Sequence, residues 1–97
     1  MSLVVNIDTI LARNSQLFSE TVGQNVIVFS VTAGAYFDLN RVGSEIWNML
    51  TVPRSVCEIL EELSQRYDSS EDTITRDVID FLRRLIELDL IQSLNSG

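Results

Sequence analysis

Three short antiparallel strands followed by three helices, an α+β arrangement, is the fold class this chain predicts, and three observations predict it. Residues 16–40 alternate with the two-residue period of strands and are rich in β-branched and aromatic side chains. After Asn40 the apolar period lengthens to about 3.6 residues. Residues suited to capping a helix then recur at Asn40, Ser55 and Ser70.

The strands are expected at 16–22, 26–31 and 35–39, divided by Gly23-Gln24-Asn25 and Thr32-Ala33-Gly34. The middle strand is apolar on both faces, as a central strand should be. In the last, Phe37 and Leu39 share one face, expected inward, while Tyr36 and Asp38 share the other. Asn40 caps a first helix with Val42, Ile46, Met49 and Leu50 on one side and Trp47 beside them. Thr51-Val52-Pro53-Arg54 ends it. Ser55 with Glu58 forms a capping box for a second helix, apolar along Val56, Ile59, Leu60, Leu63 and Tyr67. Asp68-Ser69-Ser70 reads as a turn, Ser70 as the next N-cap, and Glu71 and Asp72 stand where the helix dipole favours negative charge. The third helix runs to about Leu88, and Leu90, Ile91 and Leu94 suit a short terminal strand. Ninety-seven residues support one core. The expected organisation is a single domain over 1–97 of winged helix-turn-helix-like type, with 1–12 and 95–97 irregular.

Composition narrows the function. Seven arginines stand against fourteen acids, a net charge of −7, which opposes binding to a phosphate backbone. Lysine and histidine are absent, so the chain supplies no imidazole base, Schiff-base amine or His-containing metal site. Cys57 is the single thiol, without a disulfide partner or an adjacent base, and reads as structural. No cofactor and no enzymatic activity are expected. No apolar run reaches membrane-spanning length and the N-terminus lacks a basic region, so a cytoplasmic protein without a membrane partner is expected.

A strand at the edge of its sheet carries unpaired N–H and C=O groups and accepts a further extended chain. The third helix has a core stripe of Val78, Phe81, Leu82 and Leu85, extended on one flank by Thr75, Ile79 and Ile86 with Arg83 at its margin. Periodicity alone fits simple packing of that flank on a neighbouring element. If strand 35–39 is an edge beside it, however, the two bound a groove for an extended peptide, with backbone pairing on one side and aliphatic pockets on the other.

At this point Val26-Ile27-Val28-Phe29, Tyr36-Phe37-Asp38-Leu39-Asn40, Val42-Gly43-Ser44-Glu45-Ile46-Trp47, Val56-Cys57-Glu58-Ile59-Leu60, Tyr67-Asp68 and the run from Asp77 to Leu85 with Leu90-Ile91 matter together. In this order and spacing the chain resembles the PqqD-like precursor-peptide recognition elements (RREs) of ribosomal peptide natural product pathways, over residues 24–91. Gly43 and Ile46-Trp47 look more like the stand-alone lasso-peptide type than PqqD itself. The resemblance implies a non-catalytic adaptor to which the precursor's leader adds as a strand. It marks Ala35, Tyr36, Phe37, Asp38 and Leu39 on the strand and Thr75, Ile79, Leu82, Arg83 and Ile86 on the helix. In lasso-peptide biosynthesis the implied partner is a leader peptidase of the cysteine-protease class. In the PqqD-type alternative it is a radical SAM enzyme with an iron–sulfur cluster, in pyrroloquinoline quinone biosynthesis. The family usually has Gly before the terminal Leu, whereas this chain has Asp89, so its last turn is expected to close differently.

Three rivals are weaker. Asp77 with Asp80, or Glu61 with Glu62, are acid pairs of the sort solvated helix faces carry routinely. A winged-helix DNA-binding regulator is permitted by the fold, but Asp72, Asp77, Asp80 and Glu87 interrupt Arg76, Arg83 and Arg84. The open strand also permits a homodimer in place of a monomer. Two substitutions probe the expected site: Ile79→Asp in the helix pocket, and proline at Phe37 to remove a strand N–H.

Overall fold

A computed structural model describes residues 5–67 and 71–94. The expected turn at 68–70 with its Ser70 cap, and the irregular end at 95–97, lie outside those residues, as does the side chain of Glu71. The elements in order are β1 (Ile10–Arg13), β2 (Leu17–Val22), β3 (Asn25–Ser30), β4 (Ala35–Asp38), α1 (Arg41–Met49), β5 (Arg54–Ser55), α2 (Val56–Arg66), α3 (Glu71–Glu87) and β6 (Ile91–Ser93). The expected antiparallel sheet is present as β2-β3-β4, with β3 in the centre.

Ile10–Arg13 departs from the irregular N-terminal end that was expected. It is the middle strand of a second antiparallel sheet, β5-β1-β6, pairing Leu11 with Arg54 on one side and with Ser93 on the other. Four residues are too short for a period to declare itself, and both partners lie far along the chain. Leu11 is fully buried. Arg13 lies 4.6 Å from the centroid of the Trp47 ring, and its Nε donates to the Trp47 carbonyl at 3.1 Å, which fixes this sheet to α1. Partial burial holds the Arg13 pKa below its usual value.

The core lies between the helices and the inward faces of both sheets. Ile46, Trp47 and Leu50 from α1 and its end meet Ile59 and Leu63 of α2, Leu82 and Leu85 of α3, and Val26 and Val28 of β3. Of the three foreseen caps, the two among the described residues form: Asn40 Oδ1 accepts from Gly43 N–H at 2.7 Å, and Ser55 and Glu58 make the reciprocal capping box. The backbone N–H of Ser55 holds the Glu58 carboxylate below its usual pKa.

Ser44 ties sheet to helix. Its Oγ accepts from Val26 N–H at 2.8 Å and donates to the Leu39 carbonyl at 3.2 Å, while Leu39 N–H donates to Val26 C=O at 2.9 Å. A single buried hydroxyl thus finishes the β3–β4 ladder where the chain turns into α1.

Asp89 closes the last turn in the left-handed conformation, φ 62°, that glycine adopts most easily. Asp89 N–H donates to Ile86 C=O and Leu90 N–H to Leu85 C=O, at 3.0 and 2.9 Å. Asp89→Gly is therefore expected to stabilise the fold by roughly 0.5–1 kcal/mol, seen as a higher urea midpoint at unchanged slope.

Candidate peptide-binding site

Sheet order leaves β4 at an edge, and register decides which of its backbone groups are open. Val28 faces Phe37 and Phe29 faces Tyr36. Because Leu39 N–H donates to the Val26 carbonyl, the hydrogen-bonded pairs are Leu39–Val26, Phe37–Val28 and Ala35–Ser30. Tyr36 and Asp38 consequently point their N–H and C=O groups away from β3. The Phe37 N–H faces into the sheet, so proline there removes an internal bond rather than one offered to a guest.

Beside this edge runs an open groove of ≈ 420 Å³, lined by Tyr36, Phe37, Asp38, Leu39 and Asn40 on one side and by Phe81, Arg84, Leu85, Leu88 and Leu90 on the other. Four of the five expected strand residues line it; Ala35 is exposed at the start of the same strand. The expected helix residues do not. Leu82 is wholly buried, Ile79 and Ile86 are half-buried against the core, Arg83 is exposed, and Thr75 lines a different cavity with Ile7, Cys57 and Leu60. At about 100° per residue, Thr75, Ile79 and Ile86 lie more than 100° around α3 from Phe81 and Leu88, so β4 stands at the opposite flank of the core stripe.

Phe81 and Leu85, expected in the core stripe, form the helix wall with Arg84 and Leu88, neither of which was expected in a peptide groove. The one available signal was Leu88, an apolar residue beyond the last buried turn, 39% exposed. Phe81 and Asn40 also border a second apolar pocket of ≈ 360 Å³ between α1, α2 and α3, with Val42, Gly43, Tyr67 and Ile74 among its walls. Tyr67 OH donates to Glu45 at 2.6 Å, which with burial holds the phenol above its usual pKa.

Gly43 sets the position of Phe81. A Cβ on Gly43 would lie 2.5 Å from Phe81 Cζ. Gly43→Ala is expected to move the ring toward the groove and weaken occupancy about fivefold. Stability should change by less than about 1 kcal/mol, since better helix propensity offsets the shift of a ring tip. Titration with a guest peptide, alongside thermal melting, checks both halves.

The Cys57 thiol, which lines the cavity shared by Ile7, Leu60 and Thr75, is raised above its usual pKa by desolvation and by Glu61. Among the described residues no cluster of three or more acidic or thiol groups is placed to bind a metal ion, and no helix is long and apolar enough to cross a membrane.

The family model for coenzyme PQQ synthesis protein D (PqqD) matches residues 25–91, from the first residue of β3 to the first of β6. The chain belongs to the PqqD family. Within it, this PqqD-like chain is similar in structure to TbiB1, solved in complex with the TbiA(beta) leader peptide: TM-score 0.81 at 28% identity, covering 88% of this chain and 99% of that one. No curated protein matches the chain. The family match begins at β3, so β1 and β2 precede the matched residues.

Proposed function

We propose that this chain is a cytoplasmic, single-domain, non-catalytic adaptor. It binds the leader of a ribosomally synthesised precursor by strand addition to β4, against α3, and presents the precursor to a maturation enzyme. The observation that carries this reading is the edge itself: Tyr36 and Asp38 offer outward backbone groups beside a groove whose far wall is Phe81, Leu85 and Leu88. The leader peptide bound by TbiB1 supports it. An antiparallel guest continues the pattern of the sheet and pairs both open residues. Holding the leader raises the local concentration of the attached core peptide at the enzyme, without chemistry by the adaptor.

The pathway favoured is lasso-peptide maturation, where the partner is a cysteine protease that removes the leader. The family description supports a second reading, a part in coenzyme PQQ synthesis, for which the resemblance implies delivery to a radical SAM enzyme. The kind of enzyme encoded beside this gene separates them.

Binding of the leader from an adjacent precursor gene, measured by fluorescence anisotropy, tests the function. Leu88→Asp should weaken it about tenfold by placing a charge on the apolar wall, whereas Ile79→Asp should change it little so long as the variant folds. The reverse ranking moves the pocket to the Thr75–Ile79–Ile86 flank; no measurable binding by the parent protein overturns the adaptor reading.

A further inference from the structure

The face of β2-β3-β4 turned away from the helices carries two transverse rows fixed by register. One is Phe18–Phe29–Tyr36; the other is Glu20–Ile27–Asp38. The three rings are 67%, 42% and 67% exposed, and those of Phe29 and Tyr36 stand 6.1 Å apart at a tilt of 44°. Both rows terminate at the open edge, on the two residues whose backbone groups face outward. No arginine lies in the three strands, and among the described residues neither Glu20 nor Asp38 takes part in an ion pair.

In an antiparallel pair, residues directly opposite project from the same face with Cβ atoms about 4.5–5.5 Å apart. A guest strand on β4 therefore adds one side chain to each row. Beside Tyr36 it meets an aromatic ladder, and beside Asp38 an acidic row on a chain of net charge −7. An antiparallel guest passes Asp38 first and Tyr36 two residues later.

We propose that the outward face of the sheet selects guests carrying a basic side chain opposite Asp38 and, two residues toward the guest's C-terminus, an aromatic or large aliphatic side chain opposite Tyr36. This basic-x-apolar pattern rests on strand addition to β4 and is additional to whatever side chains enter the α3 groove. The aromatic position lengthens the ladder and covers the exposed Tyr36 ring. The basic position neutralises Asp38 and disfavours acidic guests. Each exposed cross-strand pair shifts affinity a few-fold, and the two together about tenfold.

The test is selection of a displayed library of random fifteen-residue peptides on the wild-type protein and on Asp38→Lys at low ionic strength, followed by anisotropy of labelled winners. Wild-type winners should carry Arg or Lys two residues before an aromatic or aliphatic residue. Changing that base to Glu should weaken binding about fivefold. Asp38→Lys should enrich Asp or Glu at the same position and keep the apolar one. Winners that lack the pattern, or a consensus unchanged by Asp38→Lys, overturn this selectivity while leaving strand addition standing. Absence of enriched peptides, or winners that bind undiminished to Asp38→Pro, overturns strand addition itself.

Discussion

Asp38→Pro is expected to weaken leader binding roughly ten- to a hundredfold while the protein stays folded, because it deletes one outward donor and leaves a carbonyl of the guest unpaired at the interface. The N–H of Asp38 contributes nothing to the β3–β4 ladder, and an edge strand accepts proline where its N–H faces solvent. Asp38→Ala separates the backbone from the carboxylate: it should cost only a few-fold. Phe37→Pro behaves oppositely. Its N–H lies within the ladder, so the substitution is expected to destabilise the fold by about 3 kcal/mol and to lower affinity only through unfolding. Anisotropy titrations paired with melting curves distinguish the two. Undiminished binding by folded Asp38→Pro would show that the guest does not pair with this strand.

Ser44→Ala is expected to cost the fold as much as Phe37→Pro. One hydroxyl serves Val26 N–H and Leu39 C=O, and both lose their partner in a site closed to water. The cost should be about 3 kcal/mol, a fall in Tm of roughly 10–20 °C for a domain of this size. Amide exchange adds a diagnostic: Val26 should lose protection at once, and β4, held at that end by the same hydroxyl, should open more often than the core helices. A fall below about 1 kcal/mol would mean that water or a shifted backbone replaces the hydroxyl.

Much of this fold is legible from the residues because the signals are local. Asn40 and the Ser55–Glu58 pair cap the helices they were expected to cap, and the alternation from Leu17 to Asp38 yields three strands in the expected order. Where partners are distant, the sequence is silent: Ile10–Arg13 becomes a strand only because Arg54–Ser55 and Ile91–Ser93 arrive on either side. The apolar face of α3 illustrates a different limit. Its stripe through Val78, Leu82 and Leu85 has two flanks, and periodicity carries no information on which flank β4 approaches. Phe81 and Leu88 stand on one, Ile79 and Ile86 on the other, and the tertiary path of the chain makes the choice. The strand side of the candidate groove is one continuous segment whose alternation is local, whereas the flank of α3 that faces it depends on how two distant segments pack.

The β1–β6 pairing also bears on where this fold could be joined to other polypeptide. Leu94 N–H donates to Ile10 C=O at 2.8 Å, which puts the start of the first strand beside the end of the last at one seam. Residues 5–9 run on from that seam along the start of α2, where Thr9 and Ile7 carbonyls accept from Val56 and Cys57 N–H, so polypeptide joined directly at Ile10 and Leu94 would leave from neighbouring points only if this segment were replaced. A fusion made at that seam is expected to leave both three-stranded sheets paired.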